Sequence, residues 1–337
     1  TRMKPTDIRT VLAERPFVLA PMAGLTTSPF RLLCLEHGAG LALTEMVSAE
    51  GIRRKTPATM AYLESLPGEA PLGAHLFGHD PEAFAAAADA LRALGRFSFL
   101  DINCGCPVRK VTRRGAGAAL MKEPDRLAAI VRAAAAFSLP VTVKIRLGLV
   151  PGRPLAGEAA AAAVEAGAAA VFLHGRFATA RHAGPADHAP AFGLSRTYAV
   201  PIVANGGVRD GSAAAELISR GGLAGVMIGR AALGNPWIFE EALAARSGGA
   251  WTPPPAAAVM ETVARHLEGE IARTRRRIGR VYPGNEQVEA IACRAFLPHL
   301  SGYLRGRPGL SDLKRRYFRD VATAVEVLRE AEKLLGL

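Results

Sequence analysis

Phe17-Val18-Leu19-Ala20 runs straight into Pro21-Met22-Ala23-Gly24, and that junction separates two α/β architectures. A short apolar run rich in β-formers reads as a strand of a parallel sheet. In a doubly wound nucleotide-binding fold the first such strand leads into a Gly-rich phosphate loop. Pro-Met-Ala-Gly is no such loop. Seven more short apolar runs follow, at 41–44, 72–77, 98–102, 141–145, 170–173, 201–204 and 225–228. Segments with helix character separate most of them, among them 81–94, 124–137, 158–166 and 211–220, several opened by Asp or Pro near the first turn. Eight strand–helix units within about 240 residues predict an α/β fold, a (β/α)8 TIM barrel.

Beyond the last barrel helix stands Gly248-Gly249-Ala250-Trp251-Thr252-Pro253-Pro254-Pro255, which cannot continue a helix and reads as a linker. Val259, Val263, Leu267 and Ile271 then recur at four-residue spacing, and Val321, Val325 and Leu328 repeat the pattern near the end. The expected organisation is therefore a barrel over 1–247, a linker over 248–255 and a small helical bundle over 256–337.

Half of the 337 residues are apolar and 21% are charged, a globular composition that excludes disorder, collagen and coiled coil. Four cysteines are too few for a disulfide scaffold and point to a reducing cytosol. Residues 1–14 lack the apolar core of a signal peptide, and no apolar run is long enough to span a bilayer. The net charge is +12, which alone could mean only solubility. Its distribution is uneven: 256–337 hold 15 Lys and Arg against 10 Asp and Glu. The positive charge clusters at Arg273, Arg275, Arg276, Arg277 and Arg280, and again at Lys314, Arg315, Arg316 and Arg319, with Tyr317 and Phe318 interleaved. Such clusters suit a phosphate backbone with unstacked bases.

In a barrel of this kind the chemistry sits where strands end. Polar residues fall there: Glu45, His75, Asn103 to Cys106, Lys144 and Arg146, His174 to Arg176, Asn205 to Gly207, and Gly229-Arg230. Glycines at the ends of the last two strands, each read as preceding a helix start, present backbone N–H groups to an anion, and Arg230 adds charge. Turn glycines without a ligand are the competing reading, weakened by the paired occurrence. Lys144 alternates with Val143 and Ile145 and faces either into the barrel or out. Facing in, it calls for an anionic partner. Cys104 and Cys106 are poor metal ligands, for no second Cys or His pair completes a site. Their closeness strains a disulfide. Cys106, held between Gly105 and Pro107, could serve as a thiol acid or as a structural thiol.

Taken together, Pro21-Met22-Ala23-Gly24, Asp101-Ile102-Asn103-Cys104-Gly105-Cys106-Pro107, Val143-Lys144-Ile145-Arg146, His174-Gly175-Arg176, Ala204-Asn205-Gly206-Gly207 and the run from Ile228 through Gly229-Arg230 to Asn235-Pro236-Trp237 resemble the tRNA-dihydrouridine synthases, most closely their bacterial B-type branch. The resemblance implies an FMN-bearing barrel with a helical RNA-binding domain that uses NADPH to reduce the C5–C6 double bond of particular uridines in tRNA. It further implies that Pro21, Met22 and Ala23 line the flavin, with His75, Lys144 and His174 at its ring or ribityl chain and Asn103 orienting the base beside it. Asn205, Gly206, Gly207, Gly229 and Arg230 would hold the phosphate. Hydride passes from FMN N5 to C6, and Cys106 gives a proton to C5. Arg176, Arg275, Arg276, Arg277, Lys314, Arg315 and Arg316 would meet RNA. The expected protein is a cytoplasmic monomer needing neither metal nor membrane.

Departures from the family pattern gather near the substrate. His75 stands where Gln is usual, and Phe177, Ala178, Thr179 and Ala180 replace a polar Thr-Arg and Gln stretch. Gly207 replaces an Asp, and Pro298-His299-Leu300-Ser301-Gly302-Tyr303 lacks a Lys and a Trp. Two alternatives share the same residues: an FMN barrel reductase acting on rRNA or on a small enone or pyrimidine, and a non-catalytic RNA-binding relative.

Overall fold

A computed structural model describes residues 7–278 and 284–337; Arg280 of the first basic cluster lies outside them. One parallel sheet contains β1 (Phe17–Leu19), β2 (Leu41–Leu43), β3 (Val47–Ser48), β4 (Leu72–Phe77), β5 (Phe99–Cys104), β6 (Val141–Arg146), β7 (Ala170–His174), β8 (Ile202–Asn205) and β9 (Gly225–Ile228). β1 pairs with both β2 and β9, and β2 pairs with β4, so eight strands close a barrel. The two-residue β3 is an addition at the end of β4. The eight expected strands all appear, with ends within two residues of those read from the sequence.

Alternation explains why short strands suffice. Along β5, Phe99, Asp101 and Asn103 face inward while Leu100, Ile102 and Cys104 face the outer helices. The inward set splits by height. Val18, Leu41, Leu43, Phe99, Ala170, Phe172, Val203 and Met227 fill the lower barrel, and Ile8 and Leu12 of the helix Ile8–Glu14 join them. Above this plug the inward positions turn polar. The outer layer packs helices such as Pro81–Leu94 and Pro124–Ala135 on the strands, burying Phe84, Leu91, Leu127 and Ile130 completely. Each such side chain is worth roughly 1.5–3 kcal/mol.

Four helices, Ala256–Ile278, Asn285–Tyr303, Leu310–Asp320 and Ala324–Leu335, surround a second core that includes Val263, Leu267, Phe296, Leu300 and Val327. Val259, Val263 and Leu267 are buried as expected. Val325 is not: it is 62% exposed, and Val327, Ala331 and Leu335 form the buried face of the last helix. Trp237, from the end of the barrel motif, belongs to this second core.

These helices dock on the loops at the strand C-terminal ends. A Cβ at Gly302 would stand 1.8 Å from the Leu233 carbonyl oxygen, and one at Gly269 would meet Pro29 at 2.8 Å. The His299 ring lies 3.2 Å from the Leu25 carbonyl, and Thr27 donates to the buried Glu270 carboxylate.

Candidate active site

The polar cup above the plug has two tiers. The lower is a cross-strand row of His75, Asp101 and Thr142 in register. Asp101 is fully buried; His75 Nδ1 lies 2.5 Å from its Oδ2, and Thr142 Oγ1 donates to its Oδ1 at 2.5 Å. The bond fixes the orientation of the imidazole, leaving Nε2 without a hydrogen-bond partner among the described residues.

The upper tier holds two register rows, Asn103 with Lys144 and, one step further along the strands, Arg146 with His174 and Asn205. Lys144 faces inward, and its Nζ donates to Asn205 Oδ1 at 2.9 Å while Asn205 Nδ2 donates to the Met227 carbonyl. Burial pushes Lys144 down to about 7; the Arg146 charge acts in the same direction and Asp101 opposes it. One neutral amide oxygen is a weak counterpart for an ammonium, so the site favours an incoming anion. Burial also drives the His174 imidazole far below its ordinary range, helped by Lys144, Arg146 and Arg176. Its ring is neutral, with Nε2 accepting from Arg176 Nη1 at 3.2 Å.

Asn103 shapes the loop that carries the thiol. Its Oδ1 accepts from the Gly105 and Cys106 amides at 3.0 and 2.9 Å, an Asx turn that sets Cys106, half-buried, at the rim. Asn103 Nδ2 lies against Met46 Sδ. Cys104 faces the outer core, where burial raises its thiol well above the usual range. All four cysteines are free.

The glycines differ from their reading in sequence. Gly206 and Gly207 have φ of +104° and +76°, conformations that favour glycine. A Cβ at Gly206 would also strike the His174 ring at 2.7 Å. No helix begins there, however. Residues 208–210 intervene, and Asp210 caps the helix Gly211–Ser219 with its own carboxylate. An anion would therefore meet loop amides, not that helix end. Gly229 does lead directly into a turn of 3-10 helix, Arg230–Ala232, and Arg230 is exposed. Pro21 and Met22 line the same rim half-buried and Ala23 is exposed, with the Met22 amide held by Thr26 Oγ1 at 2.9 Å.

Arg176 stands apart from the other expected RNA contacts. It is 6% exposed, and its Nε and Nη2 donate to the Gly184 carbonyl. In the tail, Arg275 and Lys314 are exposed and carry no ion pair among the described residues. Arg276 pairs with Glu64 at 2.5 Å, and the Arg277 guanidinium lies 4.3 Å from the Tyr62 ring centre. Arg315 pairs with Asp312, and Arg316 with Glu330 and Asp320. Tyr317, read as an interleaved ring, is wholly buried and donates to the Cys293 carbonyl; Phe318 is 61% exposed. Among the described residues no three His, Cys, Asp or Glu gather as metal ligands, and no helix is long and apolar enough to cross a membrane.

Sequence reasoning missed the Asp101–Thr142 floor and the structural part of Arg146. The signal was present: Asp101 shares parity with Asn103, and Thr142 with Lys144, so an argument turning Asn103 and Lys144 inward turns these inward too.

A protein-family model described as dihydrouridine synthase matches residues 18–335. The chain is 37% identical over 312 residues to a probable tRNA-dihydrouridine synthase of Mycobacterium tuberculosis (strain CDC 1551 / Oshkosh), covering 89% of this chain and 77% of that one. It is 35% identical to tRNA-dihydrouridine synthase B of Xanthomonas campestris pv. campestris, covering 88% and 86%. Among solved structures, morphinone reductase in complex with tetrahydroNAD shares the barrel, with a TM-score of 0.50 and 13% identity over 72% of this chain and 90% of that one. With the matched model spanning nearly its whole length, the chain belongs to the dihydrouridine synthase family of oxidoreductases.

Proposed function

We propose that this protein reduces the C5–C6 double bond of uridine in tRNA, with FMN in the mouth of the barrel and NADPH as the source of electrons, as a cytoplasmic monomer. The observation that carries the reading is Lys144: a lysine set deep in the cup, hydrogen-bonded to a neutral amide, on the same rim as a half-buried thiol.

The residues fit a flavin mononucleotide. Lys144, Arg146, Arg176 and Arg230 surround the cup, and Asp101 on the floor is already bonded to His75 and Thr142. Lys144, His75 and His174 would take the ring system and ribityl chain. Gly206, Gly207, Gly229 and Arg230 would take the phosphate, Asn205 acting through Lys144, with Pro21, Met22 and Ala23 along the edge. Bound there, FMN would supply the hydride for C6 of the uracil.

What the chain itself contributes is orientation and a proton. Asn103 fixes the Cys106 amide and thereby the height of the thiol, which gives its proton to C5 and is reprotonated from solvent. The target uridine must leave its stack, at a cost of a few kcal/mol. Arg275 and Lys314, without an ion pair among the described residues, supply a sequence-independent grip on phosphates. His75, the 177–180 stretch and Gly207 bear on which uridine is chosen. Purified protein should carry a yellow flavin, and Cys106→Ala should keep it while RNA reduction falls by about 10²–10⁴. Colourless protein that takes up no FMN would end this reading.

A further inference from the structure

Arg146 closes β6 and points into the cup, 4% exposed. It has no carboxylate partner among the described residues. Its acceptors are three main-chain carbonyls from two loops: Nε donates to Gly105 at 2.8 Å, and Nη1 donates to Arg181 at 2.9 Å and Phe177 at 3.3 Å. Gly105 immediately precedes Cys106, and residues 177–181 form the loop after β7. That loop is also laced to the one after β6, since Ala178 and Thr179 donate to the Gly148 and Leu149 carbonyls. His182, next along it, stacks 6.1 Å from His174.

We propose that Arg146 is a positioning residue that locks the thiol loop to the loop after β7, so that Cys106 and the wall above the cup hold one fixed spacing. The guanidinium suits this task because its rigid fork reaches two directions at once, which a lysine cannot do. Because every acceptor is main chain, the lock is indifferent to the side chains at 177–180. Phe177, Ala178 and Ala180 give this loop no polar side chain of their own there, yet its path stays tied to the thiol loop. The catalytic consequence rests on the function proposed above; the lock itself does not.

Arg146→Lys keeps the charge and loses the fork; Arg146→Met removes both. Hydrogen exchange on the flavin-free proteins separates the lock from the reaction. In Arg146→Lys, amides at 103–107 and at 177–184 should both exchange faster, by about tenfold, the factor equivalent to one charge-assisted hydrogen bond. Iodoacetamide should label Cys106 faster by a similar factor. With FMN and tRNA, kcat for RNA reduction should fall by about a hundredfold with KM little changed, as for a misplaced reacting group. Faster exchange in one loop alone, or in neither, would overturn the lock. Loosening of both loops with kcat unchanged would overturn its catalytic part. If Arg146→Met does not fold, Arg146→Lys alone decides. If wild type makes no dihydrouridine, the proposed function fails while the exchange result still judges the lock.

Discussion

Replacing Lys144 with Met should stabilise the flavin-free protein while weakening its hold on FMN. In the native state burial holds Lys144 at about 7, against 10.5 in the unfolded chain. Below pH 7 the protonated amine sits where solvation is poor, and the displacement corresponds to about 5 kcal/mol as an upper bound. Lys144 is half-buried and keeps some contact with water, whose screening reduces this to about 2 kcal/mol. As pH rises through 7 the native lysine releases its proton while the unfolded chain keeps its own up to 10.5. Stability from this group therefore increases between those values. Thermal unfolding of flavin-free wild type and Lys144→Met at pH 6 and pH 9 measures the difference. The variant should melt higher by a few degrees at pH 6, and the gap should narrow at pH 9. FMN titration should show the opposite order, the variant binding about tenfold or more weakly through loss of a charge-assisted contact. A variant that melts lower at pH 6, or binds FMN as tightly as wild type, would refute the assignment of Lys144 as a charge kept for an anion.

Gly302→Ala should destabilise despite alanine being the better helix former by about 1 kcal/mol, because its Cβ would collide with the Leu233 carbonyl; the check is a lower melting temperature with faster proteolysis in 248–255. Burial holds His299 at about 3, so the neutral ring is lost to protonation more readily in the unfolded chain as pH falls below 6.5. Wild type should lose about 2 kcal/mol between pH 6.5 and 5 by urea unfolding, and His299→Gln should flatten that slope. Arg275→Ala with Lys314→Ala should reduce the salt dependence of tRNA binding by about two contacts, one per charge. Arg276→Ala should change it less, since Glu64 already holds that guanidinium.

The barrel was legible because each strand is a short apolar run whose length matches its burial. Only β3 escaped, two residues being too few to show a period. Site residues were legible where polar types interrupt those runs near their ends, as His75, Asn103, Lys144, His174 and Asn205 do. Whether Lys144 faces in or out was left open by alternation alone; register with Asn103 and the bond to Asn205 settles it. Three placements were not read from the sequence. Asp210 caps its own helix and removes that N-terminus from the anion site. Arg176 turns back to the Gly184 carbonyl. Tyr317 enters the tail core, a placement that its four-residue spacing from Leu313 and Val321 could have signalled.

The most direct test is to incubate the purified, flavin-loaded protein with unmodified tRNA and NADPH and to map dihydrouridine by nucleotide-resolved mass spectrometry. Defined uridines should gain two hydrogens in wild type, and in Cys106→Ala they should do so about 10²–10⁴ times more slowly. NADPH consumed with every uridine unchanged, or equal product from the Cys106 variant, would contradict the account.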